Sequence, residues 1–188
     1  SGSRPIWILV RPGTALSSLD TRSSSWSASQ LDVVEVGEVA YLTPGYPADP
    51  ASDPEWAARV RNHQQRRPEH WRTVETVDLA AALTASTSPV LIDCLGTWLT
   101  RSIDRWGTWD QPFDDWHHLF NTAVEDLLNA WRNHPHPIVA VTNEVGWGVV
   151  PAHPSGRLFA DLLGRTNQQL ATVSDDVVLM VAGRPLHL

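Results

Sequence analysis

No lysine occurs anywhere in the 188-residue chain: all 14 of its basic residues are arginines. Chemistry that needs an ammonium group, whether to neutralise a phosphate or to form a Schiff base, is excluded before any motif is considered. Cysteine is nearly absent too. The single one, Cys94, rules out an internal disulfide framework and suits a reducing, cytoplasmic setting. Apolar runs are short, none reaching the ~18 residues of a membrane span, and Ile6–Val10 is too brief for the apolar region of a signal peptide. Positive charge is scarce against 21 acidic residues, and the formal net charge is −7. Nucleic-acid binding, which draws on clustered basic side chains, is not expected, and neither is a membrane partner.

What is present suits an ordinary globular domain. At this length folding buries roughly 70% of the surface the unfolded chain exposes, so no disulfide or structural metal is needed. Ten tryptophans supply large apolar bodies with one donor each, which is core and interface material. The first three residues read as a tag remnant, and residues 1–13 as that remnant plus an amino-terminal extension with a short strand at Ile6–Val10, the alternative being that this is the true first strand followed by an insertion. Residues 14–30 are rich in Ser and Thr and read as a loop or weak helix start.

Downstream, strand and helix patterns alternate. Residues 38–43 read as a strand closed by Pro44-Gly45. Ser52-Asp53-Pro54-Glu55 carries a capping-box signature, and Trp56, Val60 and His63 follow on one face of the helix it opens, which Pro68 ends. Residues 72–76 and 90–93 read as strands with a helix at 77–84 between them. From Asp115, a plausible cap, apolar residues recur at helical spacing to Trp131. Strands at 138–142 and 177–182 flank a helix at 158–173. This alternation predicts an α/β fold, a mostly parallel sheet with helices on both faces, in one domain spanning 1–188.

In such a sheet ligands bind beyond the carboxyl ends of the strands. Three strand ends carry polar or turn residues, Pro44-Gly45, Asp93 and Asn143-Glu144, and should meet on one rim. Asp93 ends an apolar strand. A carboxylate so placed either holds Mg²⁺, directly or through water, or caps the next helix. His63 lies in a segment, 59–72, with five of the fourteen arginines. Guanidinium groups bind phosphate oxygens in pairs, and a neutral imidazole among them can attack phosphorus to give a phosphoramidate. The blander alternative is a solvated helix face with a packed histidine. His117 and His118 sit about 100° apart on a helix, His134 and His136 flank a proline and read as exposed, and no pairing with metal-site spacing occurs. Cys94 reads as a small buried hydrophobe rather than a nucleophile.

Four ordered motifs carry a resemblance. Residues 59–71 fit R-x-x-x-H-x-x-x-R-P-x-x-W, 91–100 read L-I-D-C-L-G-T-W-L-T, 141–151 read V-T-N-E-V-G-W-G-V-V-P, and 156–171 read G-R-L-F-A-D-L-L-G-R-T-N-Q-Q-L-A. Together they resemble the bifunctional adenosylcobinamide kinase / adenosylcobinamide-phosphate guanylyltransferase family of cobalamin biosynthesis, over roughly four fifths of the chain. The resemblance implies a P-loop NTPase-like fold, usually a homo-oligomer, that phosphorylates adenosylcobinamide. It then moves GMP from GTP, through a guanylylated histidine, onto the corrinoid phosphate. By the same resemblance His63 takes the position of that histidine and Asp93 that of the acidic residue on the Mg²⁺ side. Arg66 and Arg67 become phosphate contacts, and Asn143 and Glu144 line the rim. The implied ligands are GTP, with ATP as an alternative, Mg²⁺, and adenosylcobinamide or its phosphate.

The amino end departs from the family. Its phosphate loop, G-G-x-R-S-G-K-S, falls on residues 19–26, where only Arg22 and Ser23 persist, while Ser24 and Ser25 replace the inner glycine and the lysine and Trp26 the Mg²⁺-binding hydroxyl. Asp20 adds a negative charge where phosphates should sit. Arg22, Ser23, Ser24 and Ser25 remain candidate nucleotide contacts. Kinase activity is expected to be weakened or lost. A guanylyltransferase-type protein is the first expectation, and a catalytically silent homologue that binds a corrinoid, or an active paralogue, the second.

Overall fold

The structure, a computed structural model, describes residues 6–10, 38–65, 67–182 and 184–188. Among the described residues seven strands form one sheet: β1 (Ile6–Val10), β2 (Ala40–Thr43), β3 (Arg72–Glu75), β4 (Val90–Asp93), β5 (Ile138–Asn143), β6 (Asp176–Val181) and β7 (Arg184–His187), in the order β3-β2-β4-β5-β1-β6-β7. Between them lie α1 (Pro54–Gln65), α2 (Leu79–Ala85), α3 (Leu95–Trp106), α4 (Phe113–Asn133) and α5 (Pro154–Ala171). The α/β class is as expected. β3, β2, β4 and β5 pair in parallel; β5 and β6 both run antiparallel to β1 and therefore share a direction. β7 returns antiparallel on β6.

β1 joins the sheet, and its direction has a consequence for the rim. Ile6 pairs with Asn143 and Val10 with Val139 and Asp176, so the chain leaves β1 at the edge opposite Asp93. The first strand of a phosphate-loop unit would run parallel to its neighbours and deliver its loop to the Asp93 edge. β1 is therefore an added strand in this position rather than that first strand. Residues 19–26 lie outside the described residues, and with them Arg22, Ser23, Ser24 and Ser25.

Strand alternation sorts the core. Ala40, Leu42, Val90, Ile92, Ile138 and Ala140 join one cluster with α2, α3, α4 and α5, whose contributions include Leu83, Leu99, Ile103, Phe120, Trp131 and Leu163. Each buried Leu, Ile, Val or Phe among them gains about 1.5–3 kcal/mol from burial, the alanines less. Tyr41, Leu91 and Val139 point the other way and are buried as well, with the Trp71 ring 6.1 Å from that of Tyr41.

Several local expectations change. Asp53, not Ser52, caps α1: its Oδ1 accepts the Trp56 N–H at 2.9 Å, because proline at the first helical position fixes the cap one residue before it. α4 starts at Phe113 rather than after a cap at Asp115, and Asp114 and Asp115 instead complement the positive end of the helix dipole from its first turn. α5 begins four residues earlier than expected, at Pro154. The sequence gives α3 no bounds, although a helix after Asp93 is one reading of that carboxylate; Cys94 rather than Asp93 takes the N-cap position, Leu95, Trp98, Leu99, Ser102 and Ile103 are buried at helical spacing, and Gly107 ends the helix with φ 67°. His134 is not exposed. It is buried at the corner between α4 and β5, with Nδ1 3.0 Å from the Leu83 carbonyl and Nε2 3.2 Å from that of Ser88, so either tautomer finds an acceptor for its ring N–H.

Candidate functional site

Parallel pairing puts the ends of β2, β4 and β5 side by side: Leu42 opposes Ile92, and Asp93 opposes Val141. The three polar strand ends thus share one rim. Tyr41 opposes Leu91, so Tyr41 and Asp93 project from the same face two positions apart. The Tyr41 hydroxyl donates to Asp93 Oδ2. Burial, then the Asp93 carboxylate, push the phenol well above its ordinary range, so it stays a neutral donor.

His63 reaches the same carboxylate from α1, its Nδ1 3.7 Å from Asp93 Oδ2. The ring is not packed into the helix's apolar face. Its side chain is 55% exposed, and Ala57 is the residue α1 buries, because α1 lies at the rim and turns its face towards the strand ends instead of the core. His63 and Asp93 are thus brought together as expected, with the imidazole open to a ligand.

The arginines of 59–72 divide. Arg59 pairs with Glu55 at 2.7 Å one turn back, and Arg72 with Glu38 at 3.3 Å. The Arg67 guanidinium lies over the Tyr41 ring, its Cζ 3.8 Å from the centroid, and donates to Thr73 Oγ1 at 3.1 Å. Its buried Nε has no partner among the described residues. Arg67 therefore stands behind Asp93 through Tyr41. Arg66 lies outside the described residues.

Asn143 and Glu144 occupy the neighbouring strand end. The Asn143 backbone carbonyl accepts from Asn167 Nδ2 at 3.1 Å, and its Oδ1 lies 3.9 Å from Cys94 Sγ. A Cβ on Gly96 would stand 2.6 Å from that Oδ1, so α3 approaches β5 as closely as glycine permits. Glu144 accepts the Gly146 N–H of its own loop. Burial, reinforced by Asp93, raises the Cys94 thiol above its usual range, which keeps it protonated and unreactive.

Asp93 suits a nucleotide-borne Mg²⁺. That ion needs only one or two carboxylates when phosphate and water complete its shell, and Asp93 ends a strand at the open rim. No group of three or more His, Cys, Asp or Glu able to hold a resident metal occurs among the described residues.

Residue-by-residue reading missed three contributors. Tyr41 could have been found by laying one strand on the next, since it falls on the Asp93 face. Arg101 donates to the carbonyls of Pro44 and Gly45 at 3.2 and 2.8 Å and so fixes the β2 turn; it sits on α3, the helix after Asp93. Trp56 looked like a core residue, yet it is only part-buried and packs beside Gly45 at the rim.

Comparison with known proteins agrees with this geometry. The family model described as cobinamide kinase / cobinamide phosphate guanyltransferase matches residues 22–188. The bifunctional adenosylcobalamin biosynthesis protein CobU of Escherichia coli is 40% identical over 140 residues, covering 70% of this chain and 77% of its own length. Its namesake in Salmonella typhimurium is 38% identical over 140 residues with the same coverage. The bifunctional protein CobP of Pseudomonas aeruginosa is 35% identical over 142 residues, covering 73% and 77%. A rim built from β2, β4 and β5, with motifs matched along most of the chain, makes this protein a member of the cobinamide kinase / cobinamide phosphate guanyltransferase family.

Proposed function

We propose that the chain acts in cobalamin biosynthesis as a cobinamide-phosphate guanylyltransferase that passes GMP from GTP to the corrinoid phosphate through His63, with its kinase activity weakened or lost. The observation that carries the reading is the exposed His63 imidazole with Nδ1 facing Asp93 at 3.7 Å. With Nδ1 so directed, Nε2 is left to attack the α-phosphorus of GTP. The N–P bond forms as the Pα–O bond to pyrophosphate breaks, and the pyrophosphate leaves. In the second step an oxygen of the corrinoid phosphate attacks the same phosphorus, the N–P bond breaks, and the imidazole is restored. Asp93 opposes the positive charge that develops on the ring in the first step, and Tyr41 holds Asp93 from behind.

Mg²⁺ arriving with GTP would supply charge neutralisation for the leaving pyrophosphate, with Asp93 as its protein contact. Arg66 and the part-buried Arg67 are the nearby candidates for phosphate contacts, and Asn143 and Glu144 for the wall of the site. The loss of the kinase half rests on composition, since no lysine exists to neutralise the β- and γ-phosphates. The phosphorylated corrinoid would then come from an active paralogue, associated with this chain or acting before it.

Incubation with α-labelled GTP and Mg²⁺ tests the proposal. Expected is a base-stable, acid-labile label on the chain that disappears in His63→Ala. A chain that takes no label, or keeps it without His63, refutes transfer. The missing lysine also favours a second reading, a non-catalytic corrinoid-binding subunit; that reading requires that calorimetry detect adenosylcobinamide binding and no heat with GTP.

A further inference from the structure

His134 takes no part in the site at the rim; it lies where α4 hands over to β5, at the opposite end of the strands. Its ring is 3% exposed, with Nδ1 3.0 Å from the Leu83 carbonyl and Nε2 3.2 Å from the Ser88 carbonyl. A neutral imidazole carries one N–H and one lone pair, and a carbonyl has no proton to give. Whichever tautomer forms therefore turns a lone pair on an oxygen at hydrogen-bond distance. Only the imidazolium donates to both.

Three further features favour the charged ring. His134 is the C-cap of the 21-residue α4, its backbone N–H donating to the Ala130 carbonyl, so it stands at the negative end of that helix dipole. The Leu83 carbonyl belongs to the last turn of α2, a second carboxyl-terminal end. The ring also borders a groove of about 550 Å³ between α2 and α4 whose lining includes the carboxylates of Asp78 and Asp126. Against the charge stand burial, the His136 ring with its centroid 5.8 Å away, and Arg132 two residues back on α4. The turn at 86–89, Ser-Thr-Ser-Pro, and β5 contain no titratable side chain. Burial decides less than it would elsewhere, because the neutral ring in this seat keeps one unfavourable contact with an oxygen whichever way it tautomerises.

We infer that His134 is a proton-operated clasp of the corner between α2 and α4: as the imidazolium it fastens the last turn of α2 and the turn leading into β4 to the end of α4, and on losing a proton to solvent it releases one of the two carbonyls. β4 and β5 begin at this corner, where the Val90 N–H donates to the Pro137 carbonyl at 2.9 Å. The clasp thus anchors the two strands whose far ends carry Asp93 and Asn143. Linkage gives the sign. A proton held more tightly by the folded chain than by the unfolded one contributes stability that is complete below the ordinary imidazole value of about 6.5 and is lost as pH rises through the folded value.

Nitrogen-15 NMR of the full chain, with His134 assigned through the backbone and pH raised from about 5.5 until its ring titrates, tests the inference. Expected at pH 7 is a ring protonated on both nitrogens in more than half of the molecules. Amide exchange at Ser86 and Val90, corrected for its intrinsic pH dependence by the amides of α3, should quicken about tenfold as that proton is lost, the equivalent of one charge-assisted hydrogen bond. His134→Gln, which keeps one donor and no charge, should exchange fast at both amides with no such step, and His136→Gln should leave the step in place. A His134 ring with a single protonated nitrogen in most molecules at pH 7 overturns the charged clasp. A ring that is doubly protonated at pH 7 but titrates with no step in exchange overturns the release, and both of these readings come from the wild type even if His134→Gln does not fold.

Discussion

Replacing Tyr41 with Phe removes one hydroxyl from the middle of the site and little else. The ring is 1% exposed and keeps its contacts with Trp71 and with the Arg67 guanidinium, so no cavity forms. What disappears is a neutral donor to a carboxylate. Hydrogen bonds to charged groups are worth about 1.5–3 kcal/mol, and the lower half applies because the Asp93 side chain, 23% exposed, keeps some water. For a chain of this length about 1.5–2 kcal/mol corresponds to a melting point lowered by roughly 3–8 °C. The pH dependence supplies a second, independent readout. Burial and Asp93 raise the folded-state phenol above its unfolded value, so its contribution is complete below about pH 10 and is lost as pH climbs through the folded value. Urea melts at pH 7 and between pH 9 and 11 measure both effects. Tyr41→Phe should show a lower midpoint at unchanged slope at pH 7, and should lack part of the wild-type decline at high pH. Equal midpoints, or identical alkaline limbs, would refute a buried Tyr41–Asp93 hydrogen bond.

Gly96→Ala should destabilise by about 1–3 kcal/mol, because the new methyl would stand 2.6 Å from Asn143 Oδ1, and Gly96→Ala/Asn143→Ala should recover part of that loss in the same urea melts. Cys94 should react with iodoacetamide at pH 7 at least tenfold more slowly in the folded chain than in urea, since burial and Asp93 hold the thiol protonated; equal rates would place it in open solvent. Chelation with EDTA should abolish labelling by α-labelled GTP without shifting the melting point, because no resident metal cluster exists among the described residues and the ion comes with the nucleotide.

The fold was legible wherever period and punctuation agreed. β4 and the long run of α4 follow directly from their apolar patterns, and Asp93 could be put at an open rim because it ends a buried-type run. The extent of α3 escaped because its residues read as the tail of the 91–100 motif, although their burial at i, i+3, i+4 and i+7 is an ordinary helical stripe. β7 escaped for another reason: Arg184–His187 contains a proline and is mostly exposed, so nothing local separates an edge strand from a loop. His63 was placed at the right corner with the wrong surroundings. Helical spacing from Trp56 and Val60 marked its face, but spacing cannot tell a face turned to the core from one turned to a ligand site. Tyr41 depends on register between β2 and β4, which no single segment encodes.

Under the proposed reading, the chemistry that survives is the one whose reacting atom lies nearest the base. Transfer of a γ-phosphoryl group requires the far end of a triphosphate to be fixed, which is the work of a glycine-rich loop, a lysine and a Mg²⁺ hydroxyl. Transfer of a nucleoside monophosphate takes place at the α-phosphorus, joined to the base through the ribose alone. The His63 imidazole and the Asp93 carboxylate, 3.7 Å apart, meet that phosphorus without calling on the β- and γ-phosphates. Contacts remote from the reacting centre then set its geometry, as binding energy does whenever it offsets the entropy of alignment. On that reading the absence of lysine bears unequally on the two half-reactions: it removes neutralisation where the kinase step would occur and leaves the imidazole and the carboxylate that guanylyl transfer would use.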